Sequence, residues 1–127
     1  MARILVVDDR PDVAGAIARM LCNHDASTET DPRRAVARLA SGERFDMVLV
    51  DLNMPEMNGR EVSDALIGAH LESPPIVLVM SGSENVESLF ATGRAVLIKP
   101  FDGDELRDLV SAMLHEDTEL SHHGSRA

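Results

Sequence analysis

Four short stretches of this sequence consist of apolar residues with no polar one between them: Ile4–Val7, Met47–Val50, Ile76–Met80 and Ala95–Ile98. A strand with one wet face alternates apolar and polar residues. An uninterrupted Val/Ile/Leu run suits a strand covered on both faces, as in a parallel sheet with helices above and below. Ala26–Thr30 reads as a weaker strand at an edge. Amphipathic stretches fill the gaps. Val13, Ile17, Met20 and Leu21 share one helical face, with Pro11 near the start. Asp31-Pro32 reads as an N-cap and first helical residue, with Ala35, Val36 and Leu39 buried and Gly42 ending the helix. Further helical patterns cover Gly59–Ala69 (Val62, Leu66, Ala69), the short Asn85–Thr92, and Asp102–His115 (Leu106, Leu109, Val110, Met113, Leu114). Five strand–helix repeats joined by right-handed crossovers predict an α/β fold, an open doubly wound parallel sheet with helices on both faces.

At 127 residues the chain fits one domain, expected over residues 1–115. The polar residues 116–127 are expected to form a disordered tail, with no output domain following. No apolar run approaches the roughly 20 residues that span a bilayer. The first run turns acidic at Asp8, too early for a signal peptide. A net charge of −10 repels nucleic-acid phosphates, so no nucleic-acid binding is expected. The single cysteine, Cys22, permits no internal disulfide and no thiolate zinc cluster, which suits a cytoplasmic protein. With three Phe and no Tyr or Trp, ring-stacking platforms for a flavin or a base are nearly absent.

In open α/β sheets, ligands bind beyond the carboxyl ends of the strands. Asp8 and Asp9 follow the first run and Asp51 follows the third. A single strand-end Asp commonly caps a turn or helix. If the first and third strands are neighbours, however, the three converge, and a divalent cation is the usual relief for such repulsion. An all-oxygen donor set favours magnesium, with manganese as a substitute. Ser81 follows the fourth run and Lys99 the fifth. A metal, an amine and a hydroxyl around one carboxylate suit a phosphoryl group carried by that carboxylate, as an aspartyl-phosphate.

These residues resemble the receiver domain of bacterial two-component response regulators, of the stand-alone type. The likeness spans about residues 3 to 115. It rests on Ile4-Leu5-Val6-Val7-Asp8-Asp9-Arg10-Pro11-Asp12, Asp51-Leu52-Asn53-Met54-Pro55-Glu56-Met57-Asn58-Gly59, Ser81-Gly82 and Lys99-Pro100-Phe101. The resemblance implies a flavodoxin-like fold with strand order 2-1-3-4-5. It implies that Asp51 accepts phosphate from a histidine kinase or a histidine phosphotransfer protein. Asp9 and Asp51 would then ligate magnesium directly, Asp8 partly through water, and Asn53 through its backbone carbonyl. Ser81 and Lys99 would contact the phosphoryl oxygens, and the Lys99-Pro100 bond would be cis. The resemblance implies self-phosphotransfer and autodephosphorylation, not a conventional enzyme.

Two departures from the family pattern bear on signalling. Val96 stands where receivers commonly place a switching aromatic residue, and Ser81 to Lys99 spans only 18 positions. The expected output is association with a downstream protein through the Asn85–Thr92 helix, the Ala95–Ile98 strand and the Asp102–His115 helix. An order–disorder shift of residues 82–94 replaces the aromatic swing. Rival readings fit less well. A flavin carrier needs a Ser/Thr/Gly-rich first loop, and an aspartate-nucleophile phosphatase needs acids two apart and a cap insertion. A receiver-like interaction module that is never phosphorylated leaves the acceptor chemistry unused.

Overall fold

The computed structural model describes residues 2–51, 75–81 and 95–126, with side chains as far as residue 115. The helical patterns at Gly59–Ala69 and Asn85–Thr92, the Asn53 carbonyl and the 82–94 switch segment lie outside the described residues. Five strands, β1 (Arg3–Val7), β2 (Asp25–Glu29), β3 (Met47–Asp51), β4 (Ile76–Ser81) and β5 (Ala95–Ile98), form one sheet in the order β2-β1-β3-β4-β5. All four pairings are parallel. Three described helices accompany it: α1 (Pro11–Met20), α2 (Pro32–Ala40) and α3 (Gly103–Arg126).

The uninterrupted runs are explained by the two cores. Strand side chains alternate faces. Ile4 and Val6, Met47 and Leu49, Leu78 and Met80, and Leu97 pack on Ala14, Ile17 and Leu21 near α1 and on Leu106 and Val110 of α3. The intervening Leu5, Val7, Val48 and Val50 pack on Ala35 and Leu39 of α2 and on Phe45. Both faces of β1 and β3 are therefore dry, and no polar residue could alternate there.

The helix ends follow local chemistry. The Asp31 carboxylate accepts the Arg33 amide at the start of α2, an N-cap worth about 0.5–2 kcal/mol. Gly42, with φ at +105°, takes the left-handed conformation that lets the chain leave α2. At the start of α1 the Asp8 carboxylate accepts the amide of Arg10, the residue just before the helix. Arg107 of α3 donates to the Met20 carbonyl (3.1 Å), tying the last turn of α1 to α3.

Two expectations need correction. The edge strand β2 begins one residue earlier than expected, because the Asp25 amide donates to the Ala2 carbonyl and Asp25 pairs with Arg3. Ala95–Ile98 is not covered on both faces. It is the edge strand beside β4, and Ile98 is 41% exposed. The backbone of residues 116–126 continues α3 as helix. No proline interrupts the stretch from Gly103 onward, and its Glu and Leu residues favour the helical backbone.

Candidate functional site

The parallel sheet ends all its strands on one side, and the polar residues that terminate them meet there. Asp8 follows β1 and donates its amide to the Glu29 carbonyl at the end of β2 (3.2 Å). Asp51 closes β3, the immediate neighbour of β1. The condition for convergence is met: carboxylate oxygens of Asp8, Asp9 and Asp51 lie within 4.8 Å of one another. Asp8 and Asp51 are buried and Asp9 is half-buried.

Lys99 arrives from the other direction. Its amide donates to the Ser81 carbonyl (2.7 Å), which extends the β4–β5 ladder past Ile98. Its ammonium then reaches Asp51 Oδ1 at 3.2 Å. The Lys99-Pro100 peptide bond is cis, as the resemblance implied. Ser81 is buried at the end of β4, one residue beyond the Asp51–Met80 pairing. The structure thus brings Asp8, Asp9, Asp51 and Lys99 into one cup; Ser81 ends the adjacent strand β4, while Asn53 lies outside the described residues.

The electrostatics are those of a site short of positive charge. Burial pushes the Asp8 carboxyl up from the ordinary aspartate range. The Arg10 amide and the Lys99 charge work against that rise, and the Asp51 and Asp9 charges add to it. Asp8 Oδ2 is buried with no hydrogen-bond partner among the described residues. A buried carboxylate with one oxygen free of hydrogen bonds, converging with two further acids, is an oxygen-donor set able to hold a cation.

The model of the response regulator receiver domain family matches residues 4–111. The chain belongs to that family. This receiver domain is 34% identical over 108 residues to the transcriptional regulatory protein TcrA of Mycobacterium tuberculosis; the match covers 82% of the chain but only 42% of TcrA. It is 29% identical to protein PilH of Pseudomonas aeruginosa, covering 90% of the chain and 98% of PilH. Among solved structures, the receiver domain of NtrX from Brucella abortus superposes with a TM-score of 0.75 at 28% identity, covering 88% of this chain and 98% of that one.

Sequence reasoning quoted two neighbours of the cup within its motifs but gave them no role. Arg10, beside the acidic pair, holds an ion pair with Asp12 at 3.6 Å. Phe101, two residues past Lys99, lines a groove with α1. The positions beside the motif residues were the available signal.

Proposed function

We propose that this receiver domain accepts a phosphoryl group on Asp51 from the phosphohistidine of a histidine kinase or a histidine phosphotransfer protein. The observation that carries the reading is the Lys99 ammonium 3.2 Å from Asp51 Oδ1, inside a cup of three converging carboxylates. An Asp51 oxygen attacks phosphorus, and the phosphorus–nitrogen bond breaks with its electron pair returning to the imidazole. Lys99 stands ready to offset the charge on the phosphoryl oxygens, and the Ser81 hydroxyl to donate a hydrogen bond to them. Asp8, Asp9 and Asp51 would hold magnesium, or manganese in its place. When bound, that ion supplies the positive charge that lets an anionic carboxylate meet an anionic phosphoryl group. The chain therefore acts as substrate of its own phosphotransfer, and attack by water on the acyl phosphate returns the free aspartate.

The output in this reading is protein–protein association. Ile98 of the edge strand β5, 41% exposed, and the adjoining α3 offer a surface close to Lys99. A net charge of −10 argues against nucleic acid as the direct target. Among the described residues no helix is long and apolar enough to cross a membrane. The single free cysteine supports a reducing cytoplasmic setting.

The test is phosphorylation with magnesium and a phosphohistidine donor, read by intact mass. One phosphoryl group should be added, be released by hydroxylamine, and be absent in Asp51→Asn. Label that resists hydroxylamine or persists in Asp51→Asn sinks the assignment.

A further inference from the structure

A groove of about 470 Å³ runs along α1 and is closed on its other side by the segment carrying Lys99 and Phe101. That volume lies within the range of small-molecule pockets. Val13, Ala16 and Met20 line it as one helical stripe, at i, i+3 and i+7. Ile17 of the same stripe turns into the core. Because α1 begins just beyond the end of β1, the groove starts at the phosphoacceptor cup and leads away from it. Lys99 belongs to both, lining the groove and contacting Asp51. Arg10 lines the same end, its side chain 69% exposed and paired with Asp12 at 3.6 Å.

The geometry points to this groove as a leaving-group subsite for a small-molecule phosphodonor: an acyl phosphate whose acyl chain is apolar and longer than acetyl. The inference rests on Asp51 being the phosphoacceptor. In the transfer an Asp51 oxygen bonds to phosphorus. The bond between phosphorus and the acyl oxygen breaks, and its electron pair leaves on that oxygen as a carboxylate. No proton, oxidant or reductant is required. Arg10 lines the groove with its partner Asp12, and its guanidinium is suited to binding the released carboxylate. The chain behind the carboxylate then lies along Val13, Ala16 and Met20, opposite Phe101. Each methylene taken out of water is worth roughly fourfold in binding, so two extra methylenes give about fifteenfold.

The experiment compares bimolecular phosphorylation rates with acetyl phosphate and butyryl phosphate, whose leaving carboxylates have similar basicity. Butyryl phosphate should react about fifteenfold faster in the wild type, and Ala16→Phe, which fills the groove, should bring the ratio to about one. Independently of transfer, sodium butyrate should move the Val13 and Met20 methyl resonances where sodium acetate at equal concentration does not. Equal rates for both donors, with Asp51 labelled, overturn the subsite and leave the phosphoacceptor reading standing. If neither these nor a phosphohistidine donor labels Asp51, the phosphoacceptor reading itself has failed. If Ala16→Phe slows only transfer from a phosphohistidine protein and the small donors show no chain-length preference, the groove serves a protein partner and the proposal is wrong.

Discussion

Arg38 grips Glu43 with two hydrogen bonds, Nε to Oε2 and Nη2 to Oε1, both 2.8 Å long. Arg3 adds a third, Nη2 to Oε1 at 2.9 Å. The Arg3 and Arg38 guanidiniums also lie 4.5 Å and 5.4 Å from the centre of the Phe45 ring. This cluster links the start of β1 to the end of α2 and the loop before β3, well away from the acidic cup. The Arg38 hydrogen bonds hold the Glu43 carboxyl at about 2, below its ordinary 4.5. A carboxyl held low binds fewer protons in the folded state than in the unfolded one. Its stabilisation is complete above pH about 4.5 and is lost as pH falls towards 2. Glu43→Gln should lower the melting temperature at pH 7 and flatten its decline across that acid window, as read by calorimetry.

Removing negative charge from the cup and adding a cation should act in the same direction. With Asp8, Asp9 and Asp51 oxygens within 4.8 Å of one another, magnesium should raise the melting temperature of the wild type. Asp8→Asn keeps an oxygen for the Arg10 amide while relieving repulsion. It should melt a few degrees higher than wild type without metal, and lose most of the magnesium-induced rise. If Asp9→Ala leaves magnesium affinity unchanged by titration calorimetry, the ion binds elsewhere.

Lys99→Ala leaves Asp51, whose side chain is 8% exposed, without its ammonium partner. Breaking a fully buried pair costs about 3–5 kcal/mol, but Lys99 is one-third exposed, so a loss of about 1 kcal/mol is expected. One cation can partly stand in for another. Magnesium should therefore raise the melting temperature of Lys99→Ala by more than it raises that of the wild type. Phosphorylation of the variant should persist in part, since the nucleophile remains, while the conformational response measured by hydrogen exchange should be lost.

Gly42 takes φ of +105° where α2 ends. No neighbouring atom lies within 4 Å of the position a Cβ would occupy, so the cost of a side chain there is purely one of backbone conformation. Gly42→Ala should destabilise by about 1–2 kcal/mol and lower the melting temperature by several degrees. A conversion of equal cost at Gly15 would refute this account, because no positive φ is involved there.

The fold was legible in the sequence to the extent that local patterning dictates it. Uninterrupted runs at Ile4–Val7 and Met47–Val50 can be satisfied only between two layers of helices, and Asp31-Pro32 and Gly42 carry their helix boundaries in their own backbone chemistry. The motif residues Asp8, Asp9, Asp51, Ser81 and Lys99 stand at strand ends for the same reason: the apolar run stops where the sheet stops. Strand neighbours are another matter. Asp8 and Asp51 meet only because β1 pairs with β3, and Lys99 reaches Asp51 across 48 positions of chain. Whether a run is central or at an edge is likewise invisible to its composition. Ala95–Ile98 reads like the buried runs, yet among the described strands β4 is its one neighbour and it borders the sheet. The Glu43 clamp and the groove beside Phe101 join residues from separate elements whose spacing carries no periodic signal, and only the packed structure decides which side chains share a surface.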